Sequence, residues 1–95
     1  MGSECFPRQD PRVAWRTFDG EAVLVSPDDS RLHTLNAVGT LIWEAADGRT
    51  AMDEIVGRVC EAFDVEPTVA ALDVRGFVTT LSERGLLTTS ERSEA

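Results

Sequence analysis

The feature that most constrains the fold is residues 31–50, RLHTLNAVGTLIWEAADGRT, where a strand pattern changes into a helix pattern. Asn36 suits an N-cap because its side chain accepts from the unpaired backbone N–H groups of a first helical turn. Apolar residues then recur at helical spacing as far as Asp47-Gly48, where the glycine suits a left-handed helix stop. The segment therefore predicts a short strand that leads directly into a helix.

Two further strands precede this junction. Residues 13–18 alternate loosely, residues 22–25 are apolar and β-branched, and Asp19-Gly20 between them is a strong hairpin signal. A second break over residues 26–30 returns the chain into the third strand, at about residues 31–35. The pattern predicts a three-stranded antiparallel meander.

Two more helices follow the first. Thr50 is the predicted cap of the second helix, with Asp53 as an acidic partner in its first turn. Pro67 fits the first turn of the third helix, which Gly85 ends. The three apolar stripes are Val38, Leu41, Ile42 and Ala45; Met52, Ile55, Val56, Val59, Cys60 and Phe63; and Ala70, Val74, Phe77, Val78 and Leu81.

Strands followed by helices predict an α+β domain, and the helix lengths fit a winged helix-turn-helix with the hairpin as its wing. We expect one domain over residues 13–88. Residues 1–12 are polar with two prolines and predict a flexible arm, and residues 89–95 predict a polar tail.

Composition limits the function. The 95 residues carry a formal net charge of -8, with 17 acidic side chains against 9 basic ones, all of them arginine. Such a surface repels phosphate backbones and anionic lipids, so we expect neither nucleic acid nor a membrane as partner. No signal peptide or membrane-spanning run is found, and Cys5 and Cys60 are expected to be reduced thiols, which favours the cytoplasm.

No residue pattern predicts catalysis, a cofactor or a metal. His33 is the single histidine and has no cysteine or carboxylate placed to complete a metal or general-base site. The pair Asp28-Asp29 lies in Ser-Pro-Asp-Asp-Ser, where turn chemistry explains it better than metal binding. We therefore predict a binding protein rather than an enzyme.

The order of motifs over residues 13–88 resembles the PqqD family. The matching features are Leu35-Asn36, Gly39, Ile42-Trp43-Glu44, Asp47-Gly48, Ile55-Val56, Phe63-Asp64-Val65, Asp73-Val74, Phe77, Leu81 and Gly85-Leu86-Leu87. The resemblance implies a RiPP recognition element, which binds the leader segment of a ribosomally made precursor peptide and presents it to a modifying enzyme. That enzyme is a radical-SAM protein in pyrroloquinoline quinone synthesis, and relatives serve mycofactocin and lasso-peptide pathways.

The resemblance also implies where the peptide binds. In the family the leader adds as a strand beside the third strand, and the third helix forms the other wall. Off the core stripe of that helix, Leu72 shares a face with Gly76 and is the predicted apolar wall, whereas Gly39 is expected to serve close packing. The predicted peptide-binding residues are Arg31, Leu32, His33, Thr34, Leu35, Leu72, Asp73, Gly76, Thr79 and Thr80.

Two alternatives remain at this point. A winged-helix DNA-binding regulator would place the third helix in the major groove, yet that helix offers only Arg75 and Arg84 against Asp73 and Glu83. A protein-interaction or dimerisation module of the same fold is the other alternative.

Overall fold

The computed structural model describes residues 4–91 and contains an α+β arrangement of two small sheets and three helices. The elements in chain order are β1 (Phe6–Gln9), β2 (Ala14–Phe18), β3 (Glu21–Val25), β4 (Leu32–Thr34), α1 (Ala37–Ala45), α2 (Met52–Phe63), α3 (Pro67–Glu83) and β5 (Leu87–Ser90). The strand order β2-β3-β4 confirms the predicted meander, and the three helices follow it as predicted.

The hairpin between β2 and β3 forms because two adjacent residues adopt positive φ. Asp19 has φ 52° and Gly20 φ 80°, the geometry of the two-residue turns that match the twist of paired strands. Phe18 lies opposite Glu21 across this turn. The register sends Ala22 and Leu24 to the inner face, where both are fully buried beneath the helices.

One core lies between the inner face of the meander and the three helices. Trp43 is its largest fully buried side chain, and the ring of Trp15 meets it edge to face with ring centroids 6.0 Å apart. Other fully or almost fully buried members are Leu24, Ile42, Ile55, Val59, Ala70, Val74, Leu86 and Leu87. None of the helices within residues 4–91 is long and apolar enough to cross a membrane.

The structure differs from the predicted flexible arm and polar tail where the two chain ends meet. β1 pairs antiparallel with β5, from Phe6 opposite Ser90 to Gln9 opposite Leu87. Phe6 and Pro7 are buried, which explains why this polar-looking segment is held against the domain. Residues 1–3 and 92–95, which belong to the predicted arm and tail, lie outside the described residues.

The turn between α1 and α2 corrects two predictions. α1 already ends at Ala45, and Gly48 (φ 77°) instead donates its N–H to the Pro7 carbonyl at 2.9 Å. Thr50 does not cap α2, which begins after Ala51 without a side-chain cap. The Thr50 hydroxyl donates to Asp47 Oδ2 at 3.2 Å, because Asp47 organises this turn.

Candidate functional site

β4 is one of the two edge strands of the meander, and within residues 4–91 no strand pairs with its outer edge. Ser26 donates its N–H to the Arg31 carbonyl at 2.9 Å, and Leu35 donates its N–H to the Ala22 carbonyl at 2.8 Å. Backbone groups alternate in direction along an antiparallel strand. Residues 31, 33 and 35 are therefore turned toward β3, and the N–H and C=O groups of Leu32 and Thr34 point to the open edge.

The side chains of β4 divide between two faces of the sheet. Leu32 is 66% exposed and lies opposite Val25 on the outer face. His33 lies on the inner side, opposite the buried Leu24, and is half-buried. Leu35 is only 8% exposed and belongs to the core, so of this predicted site residue only the backbone remains near the edge.

A ridge of α3 faces the side of the domain that carries β4. Asp73, Phe77, Thr80 and Arg84 follow one another at spacings of four, three and four residues, which places them on one helix face. Asp73 and Phe77 line a groove against Asn36 and neighbouring residues at the start of α1.

The lower end of this ridge reaches β4 itself. Arg84 Nη1 lies 3.4 Å from His33 Nδ1, and the two side chains line a second groove together with Ser26, Asp29 and Arg31. We call the two grooves together the β4–α3 cleft. They bring Arg31, His33 and Asp73 of the predicted set to one side of the domain.

Three other predicted residues lie elsewhere on α3. Thr79 lines a groove on the opposite side of the helix with Cys5 and Met52. Leu72 is 66% exposed, 100° around the helix from Asp73 and away from the cleft. A Cβ atom added at Gly76 would meet nothing within 4 Å, so within the described residues no neighbouring segment approaches this glycine closely.

Sequence reasoning missed two residues of the cleft. The sequence pattern predicts Phe77 as a core residue, and its side chain does pack against the core, but it is half-buried and also lines the groove beside Asp73. From the sequence, Arg84 is predicted only as one of the few basic charges that a DNA-binding helix would need. The spacing of residues 73, 77, 80 and 84 was the signal that pointed to both.

Gly39 confirms the predicted close packing between α1 and α3. A Cβ atom at this position would lie 2.9 Å from Phe77 Cε2, which is closer than real Cβ contacts allow. Asn36 caps α1 as predicted, accepting from the Gly39 N–H at 2.8 Å. The cap and the glycine together fix where Phe77 sits in the upper groove.

Charge is distributed unequally along the cleft. The lower end carries two arginines, Arg31 and Arg84, against the single carboxylate of Asp29, with His33 between them, and Asp73 lies at the upper end. Asp29 accepts from the Arg31 N–H at 3.1 Å, and this bond lowers the pKa of the Asp29 carboxyl below its ordinary value. The same bond confirms the predicted turn chemistry of Asp29. Within residues 4–91 no three histidine, cysteine or carboxylate side chains are grouped to hold a metal ion.

The family model for Coenzyme PQQ synthesis protein D (PqqD) matches residues 21–87, which include β3, β4, the three helices and every residue of the β4–α3 cleft. The chain belongs to the PqqD family. No curated protein sequence matches it significantly.

Solved structures extend the similarity. The chain is 28% identical to TbiB1 in a complex with the TbiA(beta) leader peptide, with a TM-score of 0.77 over 84% of this chain and 93% of that one. It is 25% identical to a lasso peptide synthetase B1 complexed with its leader peptide, with a TM-score of 0.74 over 87% of this chain and 98% of that one.

A third solved structure shares the fold. The PqqD truncation of Methylobacterium extorquens PqqCD, a stand-alone RiPP recognition element, is 21% identical with a TM-score of 0.71. The aligned region covers 86% of this chain and 87% of that one.

Proposed function

We propose that this protein binds the leader segment of a ribosomally made precursor peptide as an added strand at the edge of β4. It presents the bound peptide to a separate modifying enzyme, a radical-SAM protein or another maturase. Membership of the PqqD family supports this proposal, as do two similar proteins whose structures hold leader peptides.

The observation that carries the proposal is the open edge of β4 beside the α3 ridge. An added strand accepts and donates backbone hydrogen bonds at such an edge, while side-chain contacts select the sequence. Leu32 and Thr34 offer four backbone groups there, and each hydrogen bond contributes roughly 0.5–1.5 kcal/mol net. Phe77 and Arg84 supply the selective contacts from the facing helix.

Under this proposal the chemistry belongs to the partner enzyme, and the protein contributes only binding and positioning. Incubation with a bound peptide should therefore leave the peptide mass unchanged until an enzyme is added. The proposed compartment is the cytoplasm, which keeps thiols such as Cys5 and Cys60 reduced; both are unpaired cysteines here.

Proline substitution tests the edge directly. Proline lacks the N–H, so Thr34→Pro removes one open-edge donor while the bonds of β4 to β3 remain. Thr17→Pro is the matched control, because Thr17 by the same alternation points its N–H away from β3 at the opposite edge of the meander.

The probe is a fluorescent peptide selected on the wild-type protein from a random 14-residue library displayed on phage. We expect Thr34→Pro to weaken its binding by about tenfold or more, and Thr17→Pro to change it less than about twofold. On binding, amide exchange should slow at Leu32 and Thr34, and His33 should stay as protected as before. Equal losses in both variants, or slowed exchange confined to β2, would contradict the proposal.

A further inference from the structure

We propose that the basic lower end of the β4–α3 cleft, formed by Arg31, His33 and Arg84, is a subsite for one acidic side chain of the bound peptide. This inference rests on the proposed function and deepens it, because it states which peptide chemistry the cleft selects.

The contact between Arg84 and His33 holds the subsite together. An arginine guanidinium has only donors, so in the contact between Arg84 Nη1 and His33 Nδ1, which lie 3.4 Å apart, the arginine donates and the ring nitrogen accepts. The contact directs the guanidinium from the end of α3 toward β4. The peptide would run beside it.

Arg84 has donors to spare. Within residues 4–91 no carboxylate lies within ion-pair distance of its guanidinium, and His33 engages only one of its N–H groups. A guanidinium presents a planar fork of donors that matches a carboxylate. A peptide glutamate or aspartate would supply the carboxylate partner that the described residues do not provide.

Arg31 adds to the subsite at little cost. Its guanidinium Nε lies 3.7 Å from Asp29 Oδ2, and the two side chains are 75% and 55% exposed. Exposed pairs of this kind are weak, and Asp29 is held in its turn by backbone bonds that do not depend on the Arg31 side chain. Arg31 can therefore turn to a peptide carboxylate without disturbing the turn.

The acidic protein as a whole does not cancel this local preference. Exposed charges farther apart than about 8 Å are largely screened at physiological ionic strength. Asp73 lies 11 residues before Arg84 on α3, or roughly 16 Å along the helix axis. The cleft is thus basic at one end and acidic at the other, which predicts a preference tied to one peptide position and not to net charge.

The test compares peptides selected on three proteins from the same random 14-residue phage library. On the wild-type protein, aspartate and glutamate should be enriched at one position of the aligned peptides. Arg84→Gln should remove that enrichment. Arg75→Gln is the matched control on the same helix, since Arg75 lines a groove on the other side with Glu4, Cys5 and Met52; it should leave the enrichment unchanged.

A second measurement uses one selected peptide and its Glu→Gln form at the enriched position. The change should weaken binding about fivefold to the wild-type protein and to Arg75→Gln, and hardly at all to Arg84→Gln. Peptides that bind at the β4 edge without an acidic preference, or with one that survives Arg84→Gln, would overturn the subsite and leave the proposed function standing. If no peptide is selected at all, both proposals fall.

Discussion

β1 and β4 are short strands of similar length that differ in how many of their edges are hydrogen-bonded. β1 is bonded on both sides: it pairs with β5 along one edge, and along the other Gln9 donates to the Ala46 carbonyl and Gly48 donates to the Pro7 carbonyl, at 3.0 and 2.9 Å. β4 is bonded to β3 along one edge, and no strand of the part of the chain that the structure describes pairs with its other edge.

The difference shows how one small domain separates stability from binding. An edge whose backbone groups are all paired can accept no further strand, so β1 closes its side of the domain. The outward backbone N–H and C=O groups of Leu32 and Thr34 would destabilise the fold only if they were buried without water. At an exposed edge they can bond to water and stay available to an added strand.

The largest expected effect is a loss of stability on the side of the domain where β1 pairs with β5, which we call the anchored side. Phe6→Ala should lower the free energy of unfolding by about 3–5 kcal/mol, because it removes the buried side chain, 8% exposed, with which β1 packs against the domain. Phe18→Ala is the matched control: Phe18 is 59% exposed on β2, and its loss should cost about 0.5 kcal/mol or less. Urea unfolding measures both, and equal small losses would restore the flexible-arm view of residues 1–12.

A smaller effect separates the two glycines near the cleft. Gly39→Ala should destabilise by about 1–2 kcal/mol, because the added methyl would crowd Phe77. Gly76→Ala should stabilise by roughly 0.5–1 kcal/mol, since helix propensity improves and the space is open. Thermal unfolding of the two variants checks the signs, and a stabilising Gly39→Ala would show that α1 and α3 are not closely packed there.

The smallest expected effect is on how the stability of the anchored side depends on pH. Burial raises the pKa of Asp47. Hydrogen bonds from the Arg49 and Thr50 N–H groups and the Thr50 hydroxyl lower it by more, so the pKa lies below its ordinary value. A pKa lowered by folding stabilises the protein above the ordinary value of about 3.9 and loses that contribution as the pH falls through the folded value.

The Asp47 backbone lies opposite Arg8 of β1 in an isolated antiparallel bridge, so protonation of the carboxylate that organises this turn should loosen that side first. Between pH 5 and pH 3 the stability of Asp47→Asn should therefore fall less steeply than that of the wild-type protein, as measured by urea unfolding at each pH. Identical slopes would mean that this carboxylate does not contribute to holding β1.

The parts that the sequence predicted are those decided by local chemistry. Asp19-Gly20 determines its own turn, Asn36 its own cap and Pro67 its own first turn, so the meander and the helix starts were readable. The β1–β5 pair was not, because FPRQ and LTTS are short and polar and meet only across some eighty residues of chain.

The same distinction explains the site. That the edge strand would face α3 came from the family resemblance, but which face of the helix met it depended on packing. Leu72 is the predicted wall because it lies off the apolar stripe, whereas tertiary packing turns Phe77 toward α1 and Arg84 toward β4. Thr50 is likewise predicted to cap α2 from its position in the sequence, but its hydroxyl donates to Asp47 in the preceding turn.

The antiparallel register that places Phe6 opposite Ser90 brings the two ends of the fold to one point. Paired residues of this kind have Cα atoms about 5 Å apart. A larger enzyme fused to either end of the domain would be attached at the same place on its surface. The same holds for an enzyme that carries the domain as an insertion in one of its loops. Such a tether would keep a captured peptide at roughly millimolar effective concentration around the attached active site.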